Sequence, residues 1–81
     1  MTANSTDDTY KSDLETIVNA IGDNTNVKLS LLQTIWQQFI EYGNDTMANY
    51  VSDTYLLDLA KATKFEALIE ALETHKKNSI G

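Results

Sequence analysis

Residues 29–42 read LSLLQTIWQQFIEY. At about 100° per residue, Leu29, Leu31, Leu32, Ile35, Trp36, Phe39, Ile40 and Tyr42 spread over roughly 180° of a helix surface, against about 100° for a helix that buries a single stripe. Ser30, Gln33, Thr34, Gln37, Gln38 and Glu41 fill the remaining sector, so the helical period is genuine. A helix this apolar must be covered on two sides, either by neighbouring helices or by another molecule. It is expected to span 26–42, ending before Gly43, and to form the centre of the fold.

The rest of the chain supplies the cover. Tyr10, Leu14, Ile17, Val18 and Ile21 recur at i, i+4, i+7, i+8 and i+11, which predicts an amphipathic helix over 7–21, with Thr6 or the pair Asp7 and Asp8 at its positive end and Gly22 after its last turn. Thr25 or Asn26 is the expected cap of the central helix. A third helix is expected over 45–61, capped by Asn44 or Asp45. Within it Met47, Tyr50 and Val51 form one apolar face, and Tyr55, Leu56 and Leu59 form another that does not line up with it. A bend or break near Ser52 and Asp53 would reconcile the two and make the helix count five.

Thr63 and Glu66 have capping-box spacing ahead of Phe65, Leu68, Ile69 and Leu72, which predicts a last helix over 63–75, with Lys76 and Lys77 at its negative end. The sequence therefore reads as an all-α, compact antiparallel bundle of four helices in a single domain over 7–76. A disordered segment is expected over 1–6 and a frayed tail over 77–81. In this arrangement the stripes of the first and last helices cover the wide face of the second.

Composition narrows the function. The chain has 81 residues, twelve acidic side chains against six lysines, a net charge of −6 and no arginine. Without arginine it lacks the bidentate donor that dominates phosphate and guanine recognition, and its net charge repels nucleic acid and anionic lipid alike. Nucleic-acid and membrane binding are set aside on these grounds. Residues 1–8 are polar and acidic, without the basic and apolar regions of a secretory signal, so a cytoplasmic location is expected.

With no cysteine and one histidine, thiol catalysis and the usual zinc sites are excluded, and the loop 23–26 lacks the ligand spacing of a calcium hand. No catalytic residue, metal or cofactor is expected. His75 reads as a dipole partner on a solvated helix end. What remains is protein binding. Glu66, Glu70 and Glu73 fall within about 60° of one helix face and suit a partner with a basic patch. Trp36, Met47, Tyr50 and Tyr55 are the candidate apolar anchors. The expected role is an inhibitor or immunity-type factor, or an adaptor or chaperone, that docks a helix face on a partner protein; leftover apolar surface would equally serve a homodimer.

Size, acidity and helix count, together with Thr63-Lys64-Phe65 followed by Leu68, Ile69 and Leu72, resemble the acyl and peptidyl carrier proteins. The resemblance implies a phosphopantetheine arm on Ser30. That family sets its serine in an Asp-Ser-Leu motif opening the second helix, whereas here Leu29 precedes Ser30 and the period places Ser30 within the helix.

Overall fold

The computed structural model describes residues 4–80, and the side-chain surroundings of 7–78. It is an all-helical bundle: α1 spans Asn4–Ile21 and α2 Thr25–Glu41, α3 is one rod made of Asp45–Val51, Ser52–Leu56 and Leu57–Ala62, and α4 spans Glu66–Ile80. Helix α1 thus begins earlier than its apolar stripe, so residues 4–6 of the expected disordered segment are helical. Residues 1–3 and 81 lie outside the described residues. Helix α4 likewise runs past His75 to Ile80, through most of the expected tail.

The connections are short, and each closes through local hydrogen bonds. Asn24 caps α2, its side-chain oxygen accepting from the Val27 amide at 3.2 Å, in place of the expected Thr25 or Asn26. At the next corner the Gly43 and Asn44 amides donate back to Ile40 and Phe39 at 3.0 and 2.8 Å, the paired closure that needs a left-handed residue. Gly43 supplies it with φ of 78°. Asn44 then opens α3, its side chain accepting from the Met47 amide at 3.1 Å, so one residue finishes one helix and starts the next.

The expected capping box at Thr63 is not formed. The Thr63 hydroxyl instead turns back to the Leu59 and Ala60 carbonyls at 2.8 and 3.2 Å. Lys64 and Phe65 amides donate to Lys61 and Ala60 at 3.1 and 2.9 Å. Lys64 takes φ of 57°, the place a glycine would fill most cheaply. Thr63 therefore closes α3, and α4 starts three residues later, at Glu66.

The expected break near Ser52 is an inserted residue in an unbroken rod. Ser52–Leu56 form a π-helical turn, entered and left at Val51 and Leu57 with ordinary right-handed backbone and no side-chain cap. A π turn holds one residue more than an α turn, so every later residue of the rod is set back by about 100° on the helical wheel. On an uninterrupted α-helix the buried residues Met47, Ala48, Val51, Ser52, Leu56 and Ala60 would occupy an arc of roughly 220°; removing one residue between Ser52 and Leu56 collapses it to about 140°. The two apolar faces that disagree in sequence become one.

That face covers Trp36. The buried core is Leu14, Leu32, Trp36, Met47, Ala48, Val51, Leu56, Ala60, Leu68 and Leu72, with Leu29, Ile35, Phe39 and Ile40 of α2 packed partly buried against it. Helix α3 is the principal cover of α2, whereas sequence reasoning assigns that part to α1 and α4. Among its described side chains, α1 commits only Leu14 fully and leaves Ile17 36% exposed. The result is a flattened bundle, 40 × 33 × 17 Å along its principal axes.

Candidate functional site

The π turn brings together two of the expected anchors. Tyr50 and Tyr55 are five residues apart, about 140° apart on an α-helix but only about 40° apart across the inserted residue. Their rings meet edge to face, with centroids 6.2 Å apart and planes at 83°. Both are half-buried against the core. From α1, the Lys11 ammonium lies 5.1 Å from the centre of the Tyr50 ring, a cation on the electron-rich face. Sequence reasoning does not single out Lys11, since its partner comes into place only through the tertiary packing of α1 on α3.

Burial holds the Tyr55 hydroxyl above the ordinary tyrosine range, with the charge and hydrogen bond of Tyr50 and the charge of Glu15 acting the same way. The folded protein therefore binds this proton more tightly than the unfolded chain does. The resulting stabilisation is complete below the unfolded value, near 10, and is lost as pH rises through the folded value. Raising pH from about 8 to about 11 across the tyrosine range is expected to lower the Tm of the native sequence more than that of Tyr55→Phe. Equal losses in the two proteins, followed by circular dichroism, would show that the pair does not sense its burial.

Trp36 and Met47, the other expected anchors, are core residues at 6% and 0% exposure and offer no surface to a partner. Trp36 instead belongs to a corner where all four helices meet. The Asn44 side chain donates to Asp7 of α1 at 3.2 Å while capping α3. Its neighbour Asp45 lies 3.4 Å from Nε2 of His75 on α4. The His75 ring in turn meets Trp36 of α2 edge to face, with centroids 5.8 Å apart. Contrary to the solvated position expected, the His75 side chain is only 19% exposed. The spacing Leu68, Leu72, His75 puts it on the buried stripe, a signal outweighed in the sequence by the two lysines after it.

The acidic ridge is where the sequence places it. Glu66, Glu70 and Glu73 are all exposed along α4. Phe65, at the entry to the same helix, is 39% exposed. Nearby, Lys76 reaches across to α3 and binds both carboxylate oxygens of Asp53 at 3.1 and 3.0 Å, an exposed pair worth under about 1 kcal/mol.

Ser30 is exposed, and with Asn26, Val27, Leu31 and Thr34 it lines a shallow depression of about 420 Å³ on α2. Among the described residues, no group of three His, Cys, Asp or Glu side chains is placed to hold a metal ion. Among those residues also, no helix is long and apolar enough to cross a membrane. Comparison with protein families, with curated proteins and with solved structures gives no match to this chain.

Proposed function

We propose that the protein is a non-catalytic, protein-binding helical module, an inhibitor or immunity-type factor or an adaptor, that docks through α4 on a partner bearing a basic patch. The observation that carries this reading is the joint exposure of Glu66, Glu70 and Glu73 beside the half-exposed Phe65. Glu66 and Glu70 stand at i, i+4, a like-charge spacing that costs an isolated helix a few tenths of a kcal/mol. Bringing a basic surface against them relieves that repulsion, and the glutamates steer the approach while the aromatic ring supplies desolvated contact. The anchor thus moves from the buried Trp36 and Met47 to Phe65, with Tyr50 and Tyr55 as a second half-exposed aromatic group.

The test is affinity capture from extract of the native host at low and high salt. The triple variant Glu66→Lys, Glu70→Lys, Glu73→Lys is expected to lose a partner that the native sequence recovers, by at least about tenfold, and Phe65→Ala to weaken it at every salt concentration. Both variants should keep the native circular dichroism spectrum, since all four positions are exposed. A partner recovered equally by the charge-reversed protein would remove the ridge from the mechanism.

A carrier-type reading is favoured by one observation, the exposure of Ser30 at the rim of the depression on α2. Ser30 nevertheless sits inside α2 and does not open it. Protein from the native host would be heavier by one phosphopantetheine arm if this reading holds, and an unmodified intact mass disposes of it.

A further inference from the structure

We propose that the chain pairs with a second copy of itself, as a two-fold symmetric dimer, through the seam where α1 lies along α2. The Tyr10 ring of α1 meets the Phe39 ring of α2 edge to face, with centroids 5.3 Å apart. The two helices are antiparallel, so this contact fixes their register. Moving along α1 from Tyr10 and back along α2 from Phe39 puts Asp13 level with Trp36, Ile17 level with Leu32 and Ile21 level with Lys28. One edge of α1, Tyr10, Asp13 and Ile17 at i, i+3 and i+7, therefore faces one edge of α2, Lys28, Leu31 and Ile35 at the same spacing.

The seam is left partly open. Tyr10 and Ile17 are 39% and 36% exposed, and Leu31 and Ile35 are half-buried. Val27, one turn before Leu31 in the depression on α2, is 47% exposed. The seam is also poor in charge, as the centre of an interface is: α2 carries only Lys28 before Glu41 ends it. Asp13 and Lys28 are the two charges on the facing edges, and neither has an ion-pair partner among the described residues.

Symmetry selects the occupant. The levels of Asp13 and Lys28 are eight residues apart, about 12 Å, and Ile17 stands midway between them. A two-fold axis crossing the seam at Ile17 brings Asp13 of each copy level with Lys28 of the other, two opposite-charge pairs around an apolar centre. Over the acid-rich remainder of the surface two copies of net charge −6 repel, so the balanced seam is the approach open to them. Helices of 18 and 17 residues laid side by side cover about 25 by 20 Å, a footprint of about 500 Å² per copy. That is somewhat short of the ~800 Å² per partner of a standard interface, which sets the dissociation constant on the order of 10 μM. Glu66, Glu70 and Glu73 lie on α4, outside this seam.

Sedimentation equilibrium of the full chain from about 1 to about 500 μM is expected to show the mass rising from 9.1 kDa toward twice that value. Ile17→Glu sets like charges on the axis and should weaken the dimer at least about tenfold. Asp13→Lys and Lys28→Asp each turn both pairs into like-charge pairs and should weaken it to a similar extent. An equimolar mixture of these two single variants should dimerise as the native chain does, because each pair again joins a lysine to an aspartate. The exchange of charge at exposed or half-buried positions leaves the native circular dichroism spectrum in place, so the mixture decides the matter even if Ile17→Glu does not fold. The triple variant Glu66→Lys, Glu70→Lys, Glu73→Lys should remain dimeric. A mass of 9.1 kDa at every concentration overturns the proposal. So does a dimer that Ile17→Glu leaves intact, one that the mixture fails to restore, or one lost in the α4 variant alone.

Discussion

Truncating Leu32 to alanine is expected to remove about 3 kcal/mol of stability and to lower Tm by roughly 12 to 24 °C. Leu32 is fully buried, in the same core cluster as Trp36 and the α3 residues Met47, Val51 and Leu56. A leucine in such a position loses its own transfer free energy on truncation and leaves a cavity that the neighbours only partly fill. For 81 residues the whole stability is on the order of 4 to 12 kcal/mol, so this one change removes a large part of it. Leu31, next in sequence but only half-buried on the other flank of α2, is the control and should cost under about half as much. Urea and thermal denaturation measure both. Equal losses at 31 and 32 would mean that α2 does not present the face described.

The second large effect concerns chain length within the π turn. Deleting Thr54, which is exposed and outside the Asp53–Lys76 pair, removes the extra residue and lets α3 continue as an ordinary α-helix with Leu56 and Ala60 still facing the core. This variant is expected to fold, with Tm within several degrees of the native value. Inserting one alanine after Thr54 should do the opposite. It advances Leu56 and Ala60 by about 100° and turns the exposed Asp58 toward the core, which costs the burial of Leu56 and adds an unpaired charge. That variant should lose cooperative unfolding and near-ultraviolet dichroism. If both length changes were equally harmful, the π turn would be required for itself and would not be a register correction.

The same turn shows where sequence reading reaches its limit. Period-3.6 patterns locate α1, α2 and α4 because each face is continuous: Leu14 with Val18, Leu32 with Trp36, Leu68 with Leu72. In α3 the sequence correctly signals a discontinuity between Val51 and Tyr55. It does not say whether the chain breaks or gains a residue, because Ser52 and Asp53 are plausible caps and local propensity contains nothing about the α2 surface that the rod must match. Thr63 is misread for a related reason. Its hydroxyl can serve the helix ahead or the helix behind, and the left-handed backbone at Lys64, a residue that does not advertise it, decides for the helix behind.

At the candidate site, the exposure of Glu66, Glu70 and Glu73 is legible because the opposite face of α4 is apolar. The burial of Trp36 and Met47 is not, since an anchor residue and a core residue have the same chemistry until the covering helix is placed. Tyr50 and Tyr55 look unrelated on an α-helical wheel and become a pair only across the inserted residue. His75 has the spacing of a stripe residue, and recognising its role also requires Asp45, thirty positions away in sequence.

The connections between helices are residues 22–24, 42–44 and 63–65, so each helix finds its next neighbour within a few positions of where it ends. Closing loops this short costs little chain entropy, and a topology built from sequence neighbours lies at the fast end of two-state folding, from microseconds to milliseconds. The chain also contains no proline, which removes peptide isomerisation as a source of slow phases. Helices α2 and α3, joined through Gly43, pack on each other more extensively than any other two helices and are therefore the expected folding nucleus. Helix α1, held through Leu14 and the Asp7–Asn44 hydrogen bond, is then expected to dock late. A chain of this topology is expected to hold its apolar surface open only briefly, which would make its protection from aggregation kinetic.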